Sequence, residues 1–420
     1  MKNRRSAFGG IGRALKFRNF VLYCSGLGVA LTGTFVFFVA LGWVTWEMTH
    51  SAAWVGAIVL AETLPNAIIG PFAGVIIDRT SARRALFWAQ FSATVIMAVL
   101  TVITLNDWLT IEILLAVSLL LGSVNGIAFP AHFAIMPKLV PREDLTAAIA
   151  FQSSISQAAR FLGPAIAGVI IVTAGVSTAF AFKAISFVAF LTALAIIRVD
   201  ESSSVGPRSE GLIHELGVGL KYAWSEFPIR LMLVLAVALG ILLRPLIELM
   251  PAYVGTLLGG EATALAWLLA SAGAGSMLAS IWLAWRGETE GLTRILLWNF
   301  GATVLALIGF LFSPSLALGV ALIFAYGYSS SIVLISNQTL IQSTVDDHLR
   351  ARVMSIYALS VRAIPAFGAF VSGALADLVG IQPTILGGAI AGLMFWVWVR
   401  GTTSRNCIAE QMERPANNPL

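Results

Sequence analysis

Six charged side chains lie inside long apolar stretches of this 420-residue chain: Glu62 and Glu248 against Arg160, Lys183, Arg244 and Arg362. A charge in hydrocarbon is costly and is rarely kept without a use. Four cations against two carboxylates leave these stretches with a formal charge of +2. Glu62, between Ala61 and Thr63, has two readings: an isolated carboxyl group able to take up and release a proton, or a structural pair with a facing Arg. Arg244 and Glu248 are spaced i, i+4, so one helix face can bring them together. Lys183 falls near the end of its stretch and is expected to snorkel outward. Subtracting that pair and Lys183 leaves Arg160 and Arg362 against Glu62. Guanidinium groups bind carboxylates in a bidentate fork, so they favour an anionic or carboxylate-bearing small molecule over a lipophilic cation. His132 is a second proton-site candidate or a hydrogen-bonded structural group. Asn125 is the nearest polar group in the fourth stretch. Phe324, Tyr326 and Tyr328 either line a pocket or pack between helices.

The elements that position these residues follow from composition. The chain is 58% hydrophobic and 11% charged, with mean hydropathy +0.88. A soluble chain of this size needs far more charge to cover its surface. Apolar windows mark spans near 20–46, 53–77, 85–105, 110–136, 148–173, 176–198, 229–254, 262–285, 293–312, 315–340, 349–376 and 381–400. In lipid each must be a helix, because backbone groups there pair within their own segment. Of 26 Lys and Arg residues, 22 lie in the termini or in every second connection. The positive-inside bias therefore places both termini on the cytoplasmic side of the membrane. Trp43, Trp46, Trp54 and Trp108 fall near the outer ends as an interfacial belt. The net charge of +5 suits anionic lipid headgroups, and the basic residues form no aromatic-interleaved patch of the kind nucleic acid needs. Two cysteines, Cys24 and Cys407, provide neither a disulfide framework nor a metal cluster.

The expected organisation is a cytoplasmic segment over 1–19, a six-helix bundle over 20–199, a polar linker over 200–228, a second bundle over 229–400 and a disordered tail over 401–420. Leu212, Leu216, Leu220 and Trp224 have helical spacing within the linker and predict a helix lying on the inner surface. The two halves repeat. Gly163, Gly168 and Gly175 recur as Gly368, Gly373 and Gly380, and Gly70 recurs as Gly275, each 205 residues on. Two six-helix bundles around a central cavity would carry alternating access.

Gly70, Gly74, Asp78, Arg79, Arg83 and Arg84 close the second span. This run resembles the loop signature of the major facilitator superfamily, with Ser81 and Ala82 departing from it. An Asp there can face the positive N-terminal end of the helix beginning near Arg350 and Arg352 and hold an inner gate shut. The run Arg160 to Gly168, with Gly163 and Pro164, resembles the fifth-helix motif of that superfamily's antiporters. Val140 to Leu145 and Leu349 to Ser355 are similar to bacterial exporters that include the enterobactin exporter and macrolide-efflux relatives. The resemblance implies a twelve-helix exporter of the bacterial inner membrane, with two bundles related by a pseudo-two-fold axis and a seventh helix, carrying Arg244 and Glu248, on the cavity wall. The fourth helix lacks the Arg that many proton-coupled exporters carry.

A proton-coupled exporter of an anionic metabolite or siderophore is the expected function, working as a monomer without a cofactor. Multidrug or macrolide efflux, and uptake by the same fold, are the alternatives. The sequence has no Gly-Lys-Ser/Thr loop to cradle ATP phosphates. Its four His residues, at 50, 132, 214 and 348, have no spacing suited to a membrane-embedded enzyme.

Overall fold

The computed structural model describes residues 9–79, 81–197, 212–288 and 290–405. Among them every regular element is helical. The first half comprises α1 (Gly9–Ala14), α2 (Arg18–Thr49), α3 (Ala52–Arg79), α4 (Ala82–Leu105), α5 (Ile111–Ile135) and α6 (Leu145–Ile196). The linker helix α7 (Leu212–Ser225) leads to α8 (Phe227–Ala238), α9 (Pro245–Glu248) and α10 (Met250–Leu257). Then follow α11 (Ala262–Arg286), α12 (Leu292–Leu311), α13 (Leu316–Thr344), α14 (Asp347–Val379) and α15 (Ile381–Arg405).

Eleven helical stretches among the described residues are long and apolar enough to cross a membrane. One of them, Arg142–Ile196, has 55 residues, more than twice the roughly 20 a span requires. Gly175 breaks it, with φ 80° and ψ 172°, a backbone region open essentially only to glycine. α6 is therefore two membrane helices, and the total is twelve. Gly380, with φ 96° and ψ 151°, makes the matching break between α14 and α15. The sequence repeat is thus also a repeat of backbone geometry.

Large apolar side chains cover the outside, Trp285 being 86% exposed, as lipid-facing surfaces require. Small residues bring helices together inside. A Cβ on Gly122 of α5 would collide with the Glu62 carbonyl oxygen of α3, and one on Gly327 of α13 with the Ala272 carbonyl oxygen of α11. Gly122 and Gly327 are again 205 residues apart.

The helices group into two compact units, Met1–Val44 with Ala61–Pro207, and Thr45–Leu60 with Arg208–Leu420. The packing boundary departs from the chain repeat by one hairpin. Within the second unit, the Asp377 carboxylate at the end of α14 accepts hydrogen bonds from Ser51 Oγ and from the backbone N–H groups of Ala52, at 2.8 Å, and Ala53, at 3.3 Å. It therefore caps the start of α3, where unsatisfied donors and the helix dipole favour a negative charge.

Two expectations change. The seventh span is not one continuous helix over 229–254. α8 ends in a π-turn, Leu239–Leu243, and Pro245 and Pro251 each open a further short helix. Proline lacks the donor that would continue the ladder. Tyr326 donates from its hydroxyl to the Leu243 carbonyl at 3.0 Å, supporting the break. The twelfth helix also runs past residue 400, through Arg405, while 406–420 lie outside the described residues.

Candidate functional site

The six charged residues divide evenly: Glu62, Arg160 and Lys183 lie in the first unit, and Arg244, Glu248 and Arg362 in the second. Glu62 lies ten residues into α3, about 15 Å from its start at a rise of ~1.5 Å per residue. Lys183 lies eight residues beyond the Gly175 break, about 12 Å down from the same side. Both are therefore at mid-depth. Lys183 does not snorkel outward: it is 1% exposed. Its Nζ stands 3.6 Å from the Phe37 ring centroid, 5.3 Å from that of Phe187 and 5.9 Å from that of Phe38. It also interacts electrostatically with Glu62. The 176–198 window has the right start for the sixth helix, but hydropathy does not show that the Lys183 side chain turns inward onto aromatic rings. Gly175, read as that boundary, places Lys183 two turns inside.

Arg160, on the first arm of α6, is exposed and stands 5.5 Å above the Phe35 ring of α2. Gly163, three residues on, admits Phe35, since a Cβ there would strike the Phe35 side chain. Gly163, Pro164 and Gly168 are all buried, so this run packs helices together. Arg362 on α14 is also exposed. Arg244 and Glu248 meet at 3.2 Å between Nη2 and Oε1, each side chain 25% exposed. The i, i+4 contact survives although the helix around it is broken, because Arg244 caps the single turn of α9 and Glu248 ends it.

His132 lies 2.7 Å through Nδ1 from the Tyr23 hydroxyl and stacks on Phe190 with ring centroids 5.6 Å apart. Such an arrangement ties three helices and leaves the imidazole partly buried. Asn125 is partly buried on α5. Tyr326 is 2% exposed with its hydroxyl engaged on α8, whereas Phe324 and Tyr328 of the same helix line a groove of about 480 Å³ with Trp282 and Asn299.

The run closing the second span divides. Gly70 lies near the Gly126 carbonyl oxygen at a Cβ distance of 3.7 Å. The side chains of Gly74, Asp78 and Arg79, and all of Thr80, lie outside the described residues. Arg83 donates from Nε to the Leu194 carbonyl and from Nη2 to the Ala195 carbonyl, each at 3.0 Å, capping the end of α6. Ser81 caps α4 by accepting the Arg84 N–H at 3.3 Å. Arg350 reaches the Val345 carbonyl at 3.4 Å, and Arg352 is partly buried. Two contacts were not anticipated. Arg13 of α1 pairs with Asp144 at 2.9 Å, and Tyr222 of α7 donates to Asp346 at 3.4 Å. In each unit a short helix before the first span thus holds the acid that precedes α6 or α14.

Twelve apolar helices in two units, with ionisable groups held at mid-depth, are the architecture of a polytopic membrane transporter. The chain belongs to the transmembrane secretion effector family of the major facilitator superfamily, whose sequence profile it matches over residues 16–417. It is 23% identical to the Staphyloferrin A transporter of Staphylococcus aureus, over 84% of this chain and 88% of that one. It is 24% identical to the multidrug efflux pump Tap of Mycolicibacterium fortuitum, over 90% and 93%. The fold matches that of a bacterial homologue of the human lysosomal transporter Spinster with a TM-score of 0.72, covering 96% of this chain and 99% of that one at 13% identity.

Proposed function

We propose that this chain is a proton-coupled exporter of an anionic small molecule, a carboxylate-bearing siderophore or metabolite, working by alternating access in a bacterial inner membrane. The observation that carries the substrate class is the +2 charge kept within the spans, with Arg160 and Arg362 both exposed at mid-helix. Guanidinium groups in low dielectric select carboxylates and repel cations. The similarity to a siderophore transporter along most of both chains supports this reading. Glu62, partly exposed and backed by Lys183, is the candidate proton carrier.

Multidrug efflux is the second reading, favoured by the similarity to Tap over 90% of the chain. Purified protein in vesicles with an imposed pH gradient separates the two, using a citrate-based hydroxycarboxylate siderophore and ethidium as probes. The siderophore should move against protons, and Arg160→Ala and Arg362→Ala should each slow it about tenfold or more, the loss of one charge-assisted hydrogen bond. Ethidium transport that Arg160→Ala leaves intact, with no siderophore movement, would sink the anionic reading.

A further inference from the structure

Glu62 and Lys183 differ in access. The carboxylate is partly exposed, while the ammonium is fully enclosed and directed at the face of Phe37. Their backbones are held closely. Gly122 admits the Glu62 peptide, and Gly33 of α2 lies against Lys183, where a Cβ would come within 3.3 Å of the Lys183 Cα. Neither helix can retreat without losing a close backbone contact.

A buried ion pair whose carboxylate takes a proton leaves an ammonium with no anion, which is strongly unfavourable in a dry interior. Here the ammonium has a second source of stabilisation, because the negative faces of Phe37, Phe187 and Phe38 surround it. We propose that Lys183 is a positioning residue for proton coupling: a caged, fixed counter-charge that holds Glu62 ionised until a proton arrives and remains stable on the Phe37 face afterwards. The proposal rests on the reading of Glu62 as proton carrier. In the step itself, a proton from the aqueous side binds the Glu62 carboxylate, and the ammonium keeps its own proton throughout.

Among the described residues, the charged and titratable groups on the helices around Glu62 and Lys183 include these. On α3 it is Glu62 itself. α4 carries no charged residue between Arg84 and its end. α5 contributes His132, engaged with Tyr23, and Glu112 at its exposed start. The first arm of α6 contributes Arg160, which stands over Phe35, whose ring is 6.0 Å from that of Phe38. α2 faces Lys183 with aromatic rings and Gly33.

Infrared difference spectroscopy of the full chain in lipid, between acidic and alkaline buffer, needs no substrate. The wild type should show the C=O stretching band of a protonated carboxyl that Glu62→Gln abolishes. In Lys183→Met, which removes charge and keeps volume, the titration midpoint of that band should move by about 1–3 pH units. Phe37→Leu keeps the charge and removes the π face, so its midpoint should move less and in the opposite direction. That second variant also carries the test if Lys183→Met does not fold. A band with an unmoved midpoint in Lys183→Met, or two shifts of the same sign, overturns the role of Lys183 and leaves Glu62 as carrier. A band that survives Glu62→Gln overturns the carrier reading and the proposal with it.

Discussion

At mid-depth in the first unit, a partly exposed carboxylate is backed by an ammonium that water does not reach. Removing one partner of such a pair leaves the other without compensation. Lys183→Met should therefore destabilise the protein by about 3 kcal/mol, and adding Glu62→Gln should recover most of that loss. Thermal unfolding of the two variants in detergent measures the difference. Equal loss in single and double variants would show that the two groups are energetically independent. Tyr326→Phe tests a different residue: it removes the donor to the Leu243 carbonyl and should cost about 1 kcal/mol with transport retained. Spacing made the Arg244–Glu248 contact legible, because i, i+4 geometry is local. Nothing in the sequence pointed from Lys183 to Phe37, since cation–π contacts between helices have no spacing rule. Tyr326 was equally opaque: only the broken seventh helix gives its hydroxyl a carbonyl to meet.

Among the helices, the glycines that recur at a fixed offset serve two different purposes. Gly175 and Gly380 hold backbone conformations that an L side chain rarely adopts. Alanine at either should cost about 1–3 kcal/mol through strain. Around Gly175 there is open space, so crowding contributes nothing there. Gly387, inside α15 and equally uncrowded, provides the contrast, and Gly387→Ala should be neutral or stabilise by up to about 1 kcal/mol. Unfolding midpoints that rank these three variants alike would contradict the assignment. The repeat made both breaks readable in advance, because glycine at matched positions is a backbone signal. The break in the seventh helix was not readable. Hydropathy does not register where a π-turn forms, and Gly240 meets its neighbour Pro365 from far along the chain. Capping by Asp377 is likewise a long-range contact. Asp377→Ala should speed hydrogen exchange at the Ala52 and Ala53 amides while amides deep in α3 stay protected.

For the molecule as a whole, hydropathy and charge placement carry most of the information. The membrane penalises every unpaired backbone group, which forces helices and makes their number countable from composition. The hairpin Thr45–Leu60 escaped that reading: the repeat assigns it to the first half, while its packing assigns it to the second unit. Orientation is the remaining global property, and it rests on the 22 basic residues outside the spans. If they fix the topology, the loop between α12 and α13 faces outward and the loop between α11 and α12 faces the cytoplasm. Single cysteines can test this once Cys24 and Cys407 are replaced by serine. Ser313→Cys should react with a membrane-impermeant maleimide in intact cells, and Glu288→Cys should react only after the membrane is opened. Both are loop residues, Glu288 exposed and Ser313 partly exposed, so lack of access within the fold would not explain a silent site. The reverse labelling pattern would invert the whole molecule, and with it the side from which a proton reaches Glu62.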